Sequence, residues 1–327
     1  MRKLFMVTCA LAMIVANGAY AQKKYTLTIS GASPKGVWSI LGLALDKAMA
    51  ATYPGSSVTY QTSGGGIANI ALIDRKKVAL ALAATGEMHL AENAIKPFRK
   101  KIKSVRVIAR AHAWLYFHPM LTVDAAKKYG IEDFSDIAKK KPPIRISINR
   151  RGLLVSVIAE AMLNEIGVTL KDIEKWGGKV VYAASGDTTG LMADRKLDGH
   201  MMTWPLKHRR LRQMEAAVPM KLLTVNDKSV TERVAKKLNM AIDTVPAGTY
   251  KSQPKALYVP SMEGNIVAHK DMDNQTAYDI AKAVHTNLKA FASAHRFLGK
   301  LTPKFLVGSK AQYHPGAIKY YKEAGLM

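Results

Sequence analysis

One pattern of strand, loop and helix occurs twice in the sequence, and it constrains the fold more than any other feature. In the first copy, residues 25–29 alternate polar and apolar side chains as a strand does, and 37–51 have apolar residues at helical spacing. A second strand over 58–61, a glycine turn and an apolar strand over 78–83 complete this copy. Strands that alternate with helices predict a parallel sheet.

The second copy follows the same order later in the chain. Its predicted elements are a strand, a helix and two further strands, at 144–148, 153–166, 179–182 and 200–202. Each copy reaches its last strand through an Asp-Arg-Lys triplet, at 74–76 and at 194–196. The repeat therefore predicts two α/β lobes of similar plan.

Two extended apolar segments, 114–123 and 257–267, are predicted to connect the lobes. Two such crossings make a hinge, and a hinge makes a cleft. Ligands of open parallel sheets bind at the carboxyl ends of the strands, where helix N-termini present unpaired N–H groups and a positive dipole end. Because two such lobes face each other, we expect the cleft to favour an anion.

The start of the chain has the features of a secretory signal peptide. Arg2 and Lys3 precede an apolar run over 4–16, and Ala19-Tyr20-Ala21 forms a cleavage site. We therefore expect residues 1–21 to be removed on export. The chain's one cysteine lies in this segment, so disulfides, thiolate catalysis and cysteine metal sites are excluded for the mature protein.

The chain is strongly basic, with 49 Lys and Arg against 24 Asp and Glu and a net charge of +25. The densest basic run, 96–110, is either a solvated face or a docking surface for nucleic acid, anionic lipid or an acidic partner. Aromatic residues are not interleaved with this run, and an exported protein rarely meets nucleic acid. Nucleic-acid binding is therefore not expected.

Motifs for catalysis and cofactors are incomplete. Gly31 and Gly36 have the spacing of a phosphate-binding loop, but Val37 stands where that loop has its lysine. The nine histidines show no spacing for a metal site, so neither a metal nor a cofactor is expected. Ser252 and Lys255 have the S-x-x-K spacing of acyl-transfer serines. We expect a binding protein without catalytic residues, with a periplasmic serine hydrolase that uses this pair as the alternative.

Several segments resemble the TAXI-type solute receptors of TRAP transporters. The C-terminal residues 314–326, HPGAIKYYKEAGL, are similar to the end of those receptors, and 246–251, PAGTYK, are similar to a second signature. Residues 30–36 resemble the family's first ligand loop, and 63–65 resemble its second glycine turn. The resemblance extends over essentially the whole mature chain, but the loop at 149–154 departs from the family's small, glycine- and serine-rich loop.

The resemblance implies a two-lobed α/β fold of the periplasmic-binding-protein, type II-like class. Lobe 1 is expected to comprise 22–115 and 262–327, lobe 2 to comprise 116–261, and the hinge crossovers to lie near 114–123 and 257–267. The implied protein is a monomeric periplasmic receptor that captures a small organic anion, such as an amino or oxo dicarboxylic acid, for the membrane subunits of a TRAP transporter. The alternative role is a ligand-sensing receptor for a signalling protein.

Candidate ligand-binding residues lie at strand ends and loops of both lobes. Arg150 or Arg151 can clamp a carboxylate with two charge-assisted hydrogen bonds, or can form a solvated pair. Trp38 and Trp204 can stack over ligand carbons or pack in the core. Hydroxyls at strand ends can bind a carboxylate or cap the next helix. The full candidate set is Ser30, Gly31, Ala32, Lys35, Gly36, Val37, Trp38, Ser63, Gly64, Gly65, Thr85, Asn149, Arg150, Arg151, Gly152, Leu153, Ser185, Thr203 and Trp204.

Overall fold

The computed structural model describes residues 23–34, 36–251 and 253–327. The expected signal peptide and the candidates Lys35 and Ser252 lie outside the described residues. The first repeat contains β1 (Thr26–Ser30), α1 (Val37–Thr52), β2 (Ser57–Gln61), α2 (Gly66–Asp74), β3 (Leu80–Ala84) and α3 (Thr85–Glu92). The connection to the second repeat contains β4 (Val105–Thr122), α4 (Val123–Tyr129) and α5 (Asp136–Lys140).

The second repeat and the C-terminal part of the chain supply the remaining elements. The second repeat contains β5 (Arg145–Ser147), α6 (Leu154–Glu165), α7 (Leu170–Lys175), β6 (Lys179–Val181), α8 (Ser185–Ala193) and β7 (Gly199–Trp204). It is followed by α9 (Arg209–Ala217), β8 (Met220–Leu222), α10 (Lys228–Lys237), β9 (Ala241–Val245) and β10 (Leu257–His269). The last elements are α11 (Asn274–Thr286), α12 (Leu288–Ser293), a 3₁₀ helix (Arg296–Lys300), α13 (Pro303–Leu306) and α14 (Pro315–Glu323).

The strand order reproduces the repeat that the sequence predicts. The sheet runs β2-β1-β3-β10-β4-β7-β5-β6, with β8 paired to β4 and β9 paired to β10. Each repeat places its first strand between its second and third, and these pairings are parallel. The two central strands run antiparallel to each other and to the strands beside them. The sheet is therefore mixed, because the two crossovers are themselves long strands within it.

Apolar periodicity explains how the repeats pack. One face of α1 buries Leu41, Leu45 and Met49, which lie in a core that also includes Ile29 of β1. Every residue of β3 is buried, which accounts for its continuous apolar sequence. In the part of the chain that the structure describes, no helix combines the length and the apolarity needed to span a membrane.

The lobe boundaries expected from the sequence fall within β4 and β10, at positions that pair across the sheet. Leu115 pairs with Met262, and Tyr116 pairs with Ser261. The register shifts between Met262 and Gly264, and Trp114 has a φ of 61°. Register shifts of this kind bend strands locally. The two central strands are thus irregular where the chain passes from one end of the sheet to the other.

Candidate functional site

A cavity of about 730 Å³ lies between the two repeats, in the range typical of small-molecule sites. Leu115 and Met262, the paired residues of the two central strands, contribute to its wall. The candidate residues that line it are Ala32, Gly36, Val37, Trp38, Asn149, Leu153, Ser185, Thr203 and Trp204. Candidates from both repeats therefore meet at one site.

The other described candidates lie outside the cavity lining. They are Ser30, Gly31, Ser63, Gly64, Gly65, Thr85, Arg150, Arg151 and Gly152. The hydroxyls of Ser30 and Ser63 donate to Oδ1 of the buried Asn69, at 2.8 and 2.7 Å. The Asn69 amide also donates to the Gly31 carbonyl at 2.8 Å. The Thr85 hydroxyl donates to Glu263 at 2.8 Å. These polar groups shape the loops beneath the cavity.

Two glycines of the first repeat are required by close packing. A Cβ on Gly31 would lie 2.2 Å from the ring of Tyr60, whose hydroxyl accepts a hydrogen bond from the Ala32 N–H at 2.7 Å. Gly65 has a φ of +102°, and a Cβ there would lie 2.0 Å from Cδ2 of Leu153. Glycine at 65 thus allows the second repeat to pack directly against the first.

The two arginines predicted as a clamp are not cavity-lining residues. Arg151 is exposed, and its guanidinium lies 3.7 Å from the ring centre of Tyr182. Arg150 is half-buried, and its Nε and Nη2 atoms are buried without a hydrogen-bond partner. Burial raises the pKa of Tyr60, and the nearby charge of Arg150 acts against that rise. Arg150 therefore lies towards the first repeat, beside the cavity and not in its wall.

The cavity instead has a basic side that sequence reasoning missed, formed by His208, Arg209 and Arg210 together with His295. A Cβ on Gly186 would lie 3.0 Å from Nη1 of Arg210, so this guanidinium lies against the first turn of α8. Arg210 is half-buried and forms no ion pair with any described residue. The basic run at 207–210, directly after the last strand of a repeat, was the available sequence signal.

The basic side is partly buried, and its arginines form no ion pair with a described residue. Burial lowers the pKa of His208 to about 4, and the positive charges of Arg210 and Arg209 add to that effect. Burial also lowers the pKa of Arg210, with Arg209 contributing. The carboxylate of Asp187, in the first turn of α8, acts against the lowering of the Arg210 pKa, but Asp187 is exposed and forms no ion pair with Arg210. An anion bound here would therefore meet a charge that the protein leaves largely unbalanced.

Two buried polar atoms of the cavity residues have no hydrogen-bond partner. Oγ1 of Thr203 and Nε1 of Trp204 are unpartnered, in residues only 9% and 4% exposed. The Trp204 ring also stacks on His208, with ring centres 4.8 Å apart. In contrast, Nε1 of Trp38 donates to His112 at 3.0 Å, so Trp38 supplies an apolar wall. Buried polar groups are rarely left unpaired, so Thr203 and Trp204 are suited to a polar ligand.

Helix N-termini add further donors. The residues that precede α1, α6 and α8, namely Gly36, Leu153 and Ala184, line the cavity and provide no side-chain cap. Away from the cavity, α4 is capped by the Thr122 hydroxyl and α7 by that of Thr169. The first N–H groups of an α-helix have no partner within the helix. Three helix N-termini without a side-chain cap from the preceding residue therefore face the same space.

Glu87 is a further cavity residue that sequence reasoning missed. Its carboxylate accepts hydrogen bonds from the Ala84 N–H at 2.8 Å and from the Leu154 N–H, in the second repeat, at 3.1 Å. Only 1% of Glu87 is exposed, and burial raises its pKa to about 7. No sequence motif marks it, because its partners are backbone groups from distant parts of the chain. Among the described residues, no cluster of His, Cys, Asp and Glu could hold a metal ion.

Comparison with known proteins defines the family. The family's sequence profile matches residues 29–325. The chain belongs to the NMT1-like family. This NMT1-like protein is also similar to solved structures that share its two-lobed fold.

One such structure is MatC from Rhodopseudomonas palustris with bound malate, with 13% identity, 92% and 97% of the two chains covered, and a TM-score of 0.58. Another is PhnD1 from Prochlorococcus marinus in complex with methylphosphonate, with 12% identity, 92% and 99% covered, and a TM-score of 0.56. A third, described as a periplasmic transporter, has 16% identity, 94% of each chain covered and a TM-score of 0.51. The two-lobed fold of periplasmic binding proteins predicted from the sequence is thus confirmed.

Proposed function

We propose that this protein is a periplasmic solute receptor that closes its lobes on a small organic anion, a carboxylate, and delivers it to a TRAP-type secondary transporter. One observation carries the proposal: the cavity between the lobes joins the unpaired Arg210 to the unpartnered polar atoms of Thr203 and Trp204. Family membership supports a receptor, and the TAXI-like segments at 246–251 and 314–326 support the TRAP assignment. Amino and oxo dicarboxylic acids are the ligands that the TAXI resemblance implies.

The charge distribution supports closure around an anion. Arg209 and Arg210 belong to the second lobe, whereas Arg296 belongs to the C-terminal part of the chain, which packs on the first lobe. The Arg296 guanidinium donates to the carbonyl of Lys207, so these two regions are in contact. Like charges that approach in a desolvated cleft repel each other. A bound anion removes that repulsion and so favours the closed arrangement.

The central strands support a hinge in the same place. The expected boundaries, 115/116 and 261/262, lie opposite one another in β4 and β10, where the register shifts. Since Leu115 and Met262 also line the cavity, bending there changes the width of the site directly. We therefore assign residues 22–115 and 262–327 to one lobe, and 116–261 to the other.

The catalytic alternative has no support from the cavity. Lys255 is exposed and lies outside the cavity lining, and the mechanism proposed here needs only binding, closure and release. Two of the similar structures, MatC with malate and PhnD1 with methylphosphonate, hold anions, which is consistent with an anion receptor. A signalling role keeps the same site, and neighbouring genes for transporter membrane subunits would separate the two roles.

Titration calorimetry with a panel of mono- and dicarboxylates tests the proposal. A charge-assisted hydrogen bond contributes about 1.5–3 kcal/mol, so Arg210→Ala is expected to weaken binding about 10- to 150-fold. Arg151→Ala is the matched control, because it removes an exposed guanidinium that stacks on Tyr182 outside the cavity. Absence of a saturable site across the panel, or equal effects of the two variants, would refute the proposal.

A further inference from the structure

We propose that the cavity selects an organic monoanion with an apolar body, and that Glu87 is the residue that rejects a second carboxylate. This inference rests on the proposed function and narrows its ligand class. Three observations support it. The arginines lie on one side of the cavity, and most of the remaining wall is apolar. The N-terminus of α6 is already bonded to the carboxylate of Glu87.

The arginines of the cavity and the unpartnered side-chain atoms of Thr203 and Trp204 are on one side of it. Arg209 and Arg210 lie at the start of α9, and the Arg210 guanidinium lies against the first turn of α8. The unpartnered atoms of Thr203 and Trp204 belong to the end of β7, which leads into α9. This side offers charge, side-chain donors and the uncapped N-terminus of α8 together. One carboxylate of a ligand is enough to satisfy these groups.

The remaining wall is predominantly apolar. It is formed by Val37, Ile40, Leu115, Leu153, Val155 and Met262, together with the Trp38 ring, whose indole N–H is already bonded to His112. A ligand whose body is aliphatic or aromatic buries apolar surface against these side chains, which is favourable roughly in proportion to the area removed from water. A short ligand with charge at both ends gains less from the same wall.

Glu87 occupies the place where a second carboxylate would find its donors. The first N–H of α6, at Leu154, is already bonded to Oε1 of Glu87. A Cβ on Gly66 would lie 1.6 Å from Oε2, so the first turn of α2 also packs against this carboxylate. Glu87 forms no ion pair with any described residue, so the basic side does not neutralise it. A ligand carboxylate beside it would meet a like charge away from water.

No other ionisable side chain on the elements packed around Glu87 bonds to its carboxylate. These side chains are Asp74 on α2, His89 and Glu92 on α3, Glu160 and Glu165 on α6, and Glu263 and His269 on β10. Glu263 lies near Glu87, because it accepts a hydrogen bond at 2.8 Å from the hydroxyl of Thr85, which is two residues before Glu87 in α3. The Glu263 carboxylate is also paired with Arg110 at 3.0 Å. The rejecting charge is therefore that of Glu87 itself.

Calorimetry with hexanoate and adipate, which have the same carbon count, tests this inference at about pH 8, where Glu87 is ionised. We expect the wild type to bind hexanoate at least about tenfold more tightly than adipate. In Glu87→Gln that ratio should fall at least about fivefold, since the charge that repels the second carboxylate is removed. Glu160→Gln, which changes an exposed carboxylate on α6, is the matched control and should keep the wild-type ratio.

A second measurement does not depend on the folding of the variant. In the wild type, lowering the pH to about 6.2 protonates most of Glu87 while both ends of adipate stay mostly ionised, so the hexanoate-to-adipate ratio should fall there as well. Adipate binding as tightly as hexanoate at about pH 8, or a ratio unchanged by both pH and Glu87→Gln, would overturn the inference while leaving an anion receptor intact. Failure of every carboxylate to bind would overturn the proposed function as well.

Discussion

Glu87→Gln keeps the shape of the side chain but removes its ionisation, so it isolates the free energy of burying this charge. The ordinary pKa of a glutamate carboxyl is 4.5, and burial raises that of Glu87 to about 7. The folded protein therefore binds this proton more tightly than the unfolded chain does. It follows that the Glu87 contribution to the free energy of unfolding falls as the pH rises from about 4.5 to about 7.

The structure sets the size of this change. The interval between the two pKa values corresponds to about 3 kcal/mol, because one pH unit is equivalent to about 1.4 kcal/mol. Glutamine accepts only one of the two backbone hydrogen bonds now made by Glu87, a loss of about 1 kcal/mol that does not vary with pH. We therefore expect the wild type to be the more stable protein near pH 4 and the variant to be the more stable near pH 8.

Urea unfolding followed by circular dichroism across that pH range measures the difference in unfolding free energy between the wild type and the variant. The titration of all other groups cancels in this difference. Glu160→Gln serves as the control for loss of an exposed carboxylate from α6. A stability difference that stays constant from acid to alkaline pH would show that the pKa of Glu87 is the same in the folded and the unfolded protein. The backbone hydrogen bonds and helix N-termini around Glu87 would then fully offset its burial, contrary to the reasoning above.

Two further substitutions test the loops and the site. Asn69→Ala removes five hydrogen bonds that hold the first loop of the first lobe in place. We expect urea titrations to show a loss of about 3 kcal/mol in the free energy of unfolding. A loss below about 1 kcal/mol would contradict this role of Asn69. Thr203→Val removes an unpartnered hydroxyl from the cavity, so calorimetry should show carboxylate affinity reduced about tenfold with unfolding free energy unchanged or increased. Unchanged affinity would place the hydroxyl outside ligand contact.

The sequence predicts the repeats well and the crossovers less well, for a physical reason. Helix and strand periodicities are local, so α1 begins at Val37 as predicted, and the short strands of both repeats agree to within about two residues. The first crossover is predicted from residue 114, but β4 begins at Val105. Arg106 and Arg110 interrupt the apolar pattern there. In the fold, Arg110 pairs with Glu263 at 3.0 Å and lies 3.9 Å from the ring centre of Phe305, contacts that no local pattern reveals.

The site divides in the same way. Loops at strand ends are predictable, and residues such as Trp38, Asn149 and Thr203 do line the cavity. Which arginine lies in the wall depends on the backbone. Asn149 has a φ of 70°, and Arg151 in the same loop packs over Tyr182 instead of into the cavity. The guanidinium of Arg210 lies in the wall, against the first turn of α8, because α9 packs against α8 after the chain returns through β7.

The two ends of the cavity differ in whether the protein itself supplies a carboxylate to the helix N-terminus there. At one end, the N–H of Leu154 meets the Glu87 carboxylate only when the lobes are in contact, so the protein itself supplies the anion that this helix N-terminus requires. At the other end, the nearby carboxylate, Asp187 in the first turn of α8, is exposed and forms no ion pair with Arg210, and no side chain of the preceding residue caps α8. Closure without ligand would therefore satisfy one helix N-terminus and leave the other side of the cleft uncompensated. In the proposed receptor a bound monoanion would complete the second end, so closing and binding would occur together.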